Sequence, residues 1–239
     1  MTQQITLSQR LHEQLGQVIA ATKPGDRLLT EPLLARQLGV SRATLREAMR
    51  TYETQGLIRR RQGVGTFVLR PAHVLESGLE ILESLETVAQ RMGLHAVPGE
   101  IVINHRPAYQ DESLVLGIAV AAQVVSVSRV ILADDRPAAY LIDVLPSEFI
   151  TLDELGDGFN GSVLDLLMRR GDPLLANSHC DIAAVAASPD VARALNIQRG
   201  DALLRFKSRL FTIDGRVIDY SLGYFLPGYF RFHVIRELS

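Results

Sequence analysis

Apolar residues in the first third of the chain recur every three to four positions in three runs, each closed by turn chemistry. Leu11, Leu15, Val18 and Ile19 form one stripe, which Ser8 can cap and Pro24-Gly25-Asp26 ends. Leu33, Leu34 and Leu38 form a shorter stripe behind Thr30, with Pro32 tolerated in its first helical turn. Gly39-Val40 turns the chain, and a third helix opening at Ser41 buries Leu45, Ala48, Met49 and Tyr52 until Gly56 stops it. The period then drops to two: residues 57–61 and 66–70 alternate as strands joined by Gln62-Gly63-Val64-Gly65. Two helices linked by a glycine turn and followed by a hairpin predict a winged helix-turn-helix over residues 1–70.

Beyond it, Leu75, Leu79, Leu82, Leu85 and Val88 are spaced as one helical stripe across 73–92, with Gly93 at its end, which predicts a linker helix within residues 71–94. Residues 100–106 alternate, 111–119 suit a short helix, and a strand-rich stretch opens near Val124. Residues 128–136 overlay on 208–216 as an internal repeat. Each copy is a strand, an Asp-Asp or Asp-Gly turn, and a returning strand ending at Leu145-Pro146 or Leu226-Pro227. Helical patterns lie between them at 162–170 and 188–195, the second with Pro189 at its first position. The predicted class is α+β, with an antiparallel sheet covered by helices on one face over residues 95–239.

Composition narrows the partners. A chain of 239 residues, 47% hydrophobic and 22% charged, fits one or two globular domains and excludes disordered and collagen-like classes. No apolar run is long enough for a membrane, no secretory leader is visible, and Cys180 has no intramolecular mate, so a cytoplasmic protein is expected. The net charge of −2 hides an asymmetry: residues 1–70 carry eleven Lys+Arg against five Asp+Glu, and residues 71–239 carry fourteen against twenty-two. A front end at +6 suits a polyanion, with a solvated basic face as the alternative. Arg42, Ala43, Thr44 and Arg46 fall at the start of the third helix, away from its buried stripe. Guanidinium groups there can bridge the two major-groove acceptors of guanine while the helix start favours phosphate. On the hairpin, Arg61 supplies counter-charge and Gly63 allows close backbone approach. The six histidines show no metal-ligand spacing, no nucleophile and base stand at recognisable spacing, and no cofactor is expected.

The run Leu-Gly-Val-Ser-Arg-Ala-Thr-Leu-Arg-Glu-Ala at 38–48, with Gly56-Leu57-Ile58 and Arg61-Gln62-Gly63-Val64-Gly65-Thr66-Phe67-Val68, resembles the winged helix of the GntR family of bacterial transcription regulators. The resemblance implies operator contacts by Ser41, Arg42, Thr44, Arg46 and Gly63. The family's arginine early in the second helix is absent from Thr30-Glu31-Pro32-Leu33, so that contact is missing or is replaced by Arg36.

The repeat, together with Gly-Ser-Val-Leu-Asp-Leu-Leu at 161–167 and Ser188-Pro189, Leu195 and Gly200-Asp201, resembles the UTRA-type effector domain of the HutC branch, similar in fold to chorismate lyase. An effector held between sheet and helices is implied. Ser84 matches a hydroxyl position, Arg129 the first of two arginines, and Asp219 a usual glutamate, while Ile131 and Leu141 replace an arginine and a glutamate. Such a site favours a smaller or more apolar effector over a sugar phosphate, for instance a carboxylate held by Arg129. Tyr220, Tyr224 and Tyr229 can line the pocket or belong to the core, with Tyr224 the candidate contact among them, and Arg209 repeats Arg129; either arginine is alternatively a solvated residue at a sheet edge. The implied function is a homodimeric, ligand-responsive repressor on a pseudo-palindromic operator. Its alternatives are an architectural or interaction module without effector, and a lyase-like enzyme.

Overall fold

In the computed structural model, which describes residues 7–23, 25–54, 57–61, 63–69, 75–91, 96–133, 135–156 and 159–236, the first stripe folds as α1 (Leu7–Ala21). Ser8 falls inside that helix instead of before it, a shift of the size expected for a helix end read from sequence. Pro24, Gly56, Gln62, Arg70, His73, Met92, Gly93 and Asp134, which carry parts of the turn, hairpin and linker expectations, lie outside the described residues. The chain divides into two compact units, Met1–Val74 with Pro227–Tyr229, and Leu75–Leu226 with Phe230–Ser239.

In the first unit α2 (Glu31–Gln37) and α3 (Arg42–Thr54) pack with α1 around Leu11, Leu15, Ile19, Leu34, Leu45, Ala48 and Met49. The stripe of α2 is Leu34, Ala35 and Leu38; Leu33, expected within it, is 54% exposed, because one position along a helix turns the side chain by about 100°, away from the packed side. The Tyr52 hydroxyl donates to the His12 carbonyl at 2.6 Å, and a Cβ on Gly16 would strike that hydroxyl, so this glycine permits the close approach of α1 and α3. The hairpin is β1 (Ile58–Arg61) and β2 (Gly65–Val68), antiparallel, with Arg59 opposite Phe67. Residues 25–28 run beside β2, where the Leu28 N–H donates to Thr66 and the Gly25 N–H to Val68, both at 2.8 Å.

The linker-helix expectation is corrected in the second unit. Residues 75–78 form a strand, β3 (Leu75–Gly78), and helix returns only at α4 (Leu85–Arg91). Ser77 and Gly78 are weak helix formers in the middle of the stripe, and β10 (Phe230–His233) supplies a parallel ladder to the same residues. Leu79, Ile81 and Leu82 consequently stay exposed in the connecting loop.

Six antiparallel strands make the main sheet: β4 (Ala96–Pro107), β5 (Gln123–Ala133), β6 (Arg136–Pro146), β7 (Leu175–Ala186), β8 (Ala202–Thr212) and β9 (Val217–Phe225), in the order β4-β5-β6-β9-β8-β7. The two repeated hairpins therefore lie side by side, joined through β6 and β9. Helices cover both faces, not one. Val163 and Leu167 of α6 (Val163–Arg170) pack on Val125, Val127 and Leu145, whereas Leu116 of α5 (Gln110–Leu116) packs on Val124, Val144 and Tyr220 of the opposite face. Ser162 and Ser188 cap α6 and α7 (Pro189–Ala194), accepting from the Asp165 and Val191 N–H groups. No helix among the described residues is long and apolar enough to cross a membrane.

Candidate functional site

Leu45, Ala48 and Met49 anchor α3 in the core, which leaves Ser41, Arg42, Ala43, Thr44 and Arg46 exposed on its other side. Ser41 Oγ accepts the Thr44 N–H at 3.0 Å and lies 2.7 Å from the Thr44 hydroxyl, so the N-cap orients both hydroxyls at the helix start. Arg46 Nε stands 3.7 Å from a Glu31 oxygen and keeps 60% of its side chain in solvent. The other Glu31 oxygen is 3.7 Å from Arg60 of β1, whose guanidinium also bonds Glu53 at 3.0 Å. Arg36 is exposed on α2. On the hairpin Arg61 lies over the Phe67 ring at 5.5 Å, and Gly63 holds φ at 73°. Lys23, Arg59 and Arg61 line one groove with Gly25 and Phe67. Sequence reasoning passed over Lys23 and Glu31: the first enters the groove only because residues 25–28 run along β2, and the second matters only because α2 starts beside α3 and the hairpin.

The second unit holds a cavity of about 630 Å³, floored by the sheet and closed by residues 77–86 and the start of α6. Alternate residues of a strand share a face, so β5, β6 and β9 bring Arg129, Leu141, Asp143, Asp219 and Gly223 to the floor. Arg129 is buried, contrary to the solvated alternative; its Nε donates to Glu86 at 2.9 Å and its Nη1 to Asp143 at 2.5 Å. Ser84 lines the cavity, caps α4 by accepting the Thr87 N–H at 2.9 Å, and donates to Asp165 at 2.8 Å. Phe206, Phe225 and Phe232 form an apolar end, with Phe206 and Phe232 centroids 4.5 Å apart.

Tyr224 is corrected. It does not line the cavity: it stands five residues from Asp219 on a regular stretch of β9, and an odd separation puts two residues on opposite faces. Tyr224 pairs with Tyr140 and Arg205 instead. Arg209 is likewise on the far face, opposite Tyr220, so the chemical equivalence of the repeat fails at the floor. The carboxylate effector held by Arg129 is also disfavoured, because Glu86 and Asp143 already balance that guanidinium's charge. Glu86 and Asp143, which sequence reasoning missed, carry no local signal; only the fold brings them to Arg129.

Burial, reinforced by the Asp143 charge, raises the Asp219 carboxyl well above its ordinary 3.8, against the opposing pull of the Val144 N–H and Arg129. A carboxyl raised on folding stabilises fully below its unfolded value and loses that contribution as pH rises through the folded one. Asp219→Asn is therefore expected to match the native protein near pH 3.8 and to become progressively more stable than it toward neutrality. Urea denaturation across that range checks this; a pH-independent difference would contradict it.

Residues 7–68 match the bacterial regulatory proteins of the gntR family, and residues 94–231 match the UTRA domain. The chain is 28% identical to the HTH-type transcriptional repressor NagR of Bacillus subtilis over 91% of its length and 88% of that protein's. It is 29% identical to a histidine utilization repressor of Pseudomonas aeruginosa, covering 87% and 81% of the two chains. Its fold is similar to the crystal structure of PhnF from Mycobacterium smegmatis, with a TM-score of 0.62 at 20% identity over 96% of this chain and all of that one.

Proposed function

This chain belongs to the gntR family of bacterial regulatory proteins and carries a UTRA domain, and from that premise we propose that it is a homodimeric repressor whose cavity ligand sets its affinity for operator DNA. It is a ligand-responsive, DNA-binding transcription regulator, as its relatives are, and not an enzyme. Repression follows from relatives named as repressors. The cytoplasm, where an operator is found, is its proposed compartment.

The observation that carries the reading is the exposed cationic start of α3 over a fully packed helical core. Arg42 and Arg46 are assigned to base edges, and Ser41, Thr44, Arg36, Arg61 and Gly63 to the backbone, where hydroxyls, guanidinium groups and a glycine-tipped loop meet phosphate. Pro32 stands where the family has its arginine, and the neighbouring Glu31 lies within ion-pair distance of Arg46. A two-fold dimer sets two such helices one turn of duplex apart, so the operator is pseudo-palindromic. Ser84, Arg129, Leu141 and Asp219 are assigned to the effector cavity. A ligand there acts only through unequal affinity for two arrangements, and a coupling of about 1–3 kcal/mol changes operator affinity roughly 5–150-fold.

Arg42→Ala and Arg46→Ala are each expected to weaken operator binding by about 1–3 kcal/mol with the fold retained. A mobility-shift titration on DNA upstream of the protein's own gene measures this. Native affinity in both variants would overturn the assignment.

A further inference from the structure

Five of the six charged residues described along the cavity are carboxylates: Glu80, Glu83, Glu86, Asp143 and Asp219, against Arg129 alone. Two of them meet that single cation, and both contacts lie out of solvent, with Arg129 and Glu86 side chains only 6% and 10% exposed. Glu83 pairs with Arg91 and Glu80 accepts the Ile235 N–H, which leaves the buried oxygens of Glu86 and Asp219 to be accounted for. Glu86 Oε2 and Asp219 Oδ1 are buried without a hydrogen-bond partner, and Asp219 as a whole is 5% exposed. Buried polar oxygens in this state call for donors, and a surplus of buried carboxylates calls for positive charge.

Resting on the effector-site reading above, we propose that the ligand of this cavity is a compact organic cation: an ammonium or guanidinium group on an apolar body. Its N–H groups donate to Asp219 Oδ1 and Glu86 Oε2, the acceptors left open. Its apolar body lies along Leu141 toward Phe206, Phe225 and Phe232, where the cavity offers hydrocarbon and aromatic surface. Burial works against ionisation of Asp219, and a cation beside it works the other way. An anion meets the reverse situation. At Arg129, whose Nε and Nη1 already serve Glu86 and Asp143, it sits beside two carboxylates, so phosphorylated and carboxylate ligands are disfavoured by charge, not by size.

The experiment uses the full chain and matched probes of opposite charge: 2-phenylethylamine and 1,5-diaminopentane against 3-phenylpropionate and glutarate. Calorimetric titration and thermal unfolding are expected to register the amines and not the acids. Asp219→Asn, a near-isosteric change whose folding is checked by its own melting curve, is expected to weaken amine binding about tenfold or more. Acids binding as well as the amines, no amine binding, or amine binding indifferent to Asp219→Asn would each overturn the cation assignment. The wider reading is tested separately by operator titration with the same probes. Amines that bind the cavity but leave operator affinity unchanged would sink the effector role while the charge class stands; an acid that releases DNA would do the opposite.

Discussion

Arg129→Met is expected to destabilise the second unit by about 3–5 kcal/mol, the usual result of removing one partner from a buried ion network. The guanidinium, 6% exposed, is the shared partner of Glu86 and Asp143. Burial by itself disfavours its charge, and the two carboxylates more than offset that. Methionine keeps most of the volume, so the loss reflects unpaired carboxylates and not a void. Two readouts check the cause. Chemical denaturation should show the loss near neutral pH, and adding Glu86→Gln and Asp143→Asn to the same chain should restore much of it, because neutral amides carry no charge to strand. A loss below about 1 kcal/mol would mean that the network is solvated.

Leu45→Ala is expected to remove about 2–5 kcal/mol from the first unit, the range for deleting three carbons from a packed core. Leu45 is fully buried between Leu34, Met49 and their neighbours, on the turn of α3 that also carries Thr44 and Arg46. The variant should lose operator binding together with helical circular dichroism, whereas Arg42→Ala should lose binding and keep the spectrum. Retention of a cooperative melt at the native midpoint in Leu45→Ala would contradict the proposed core.

Much of the first unit was legible because its signals are local. The stripes of α1 and α3 and the shift to period two at β1 are patterns that neighbouring residues impose on one another. The repeat made both central hairpins readable for the same reason, with their turns at Asp135 and Gly215. Where partners are distant, the reading failed. β7 is an edge strand exposed along most of its length, so it carries no apolar alternation to find. β3 looked helical because its ladder comes from β10, more than a hundred and fifty residues later. The misplacement of Tyr224 was avoidable: the odd spacing from Asp219 was already in the chain.

What the residues determined unaided is therefore the set of short-range features: the helices of the first unit, its wing, the excess of positive charge there, and the two hairpins. What only the assembled molecule decided is the character of the cavity. Whether Arg129 is a free cation or a neutralised one depends on Glu86, forty-three positions before it, and on Asp143 across the β5–β6 pairing. Charge at a buried site is set by whichever groups the fold brings within a few ångströms, since low dielectric makes those few neighbours outweigh everything farther along the chain.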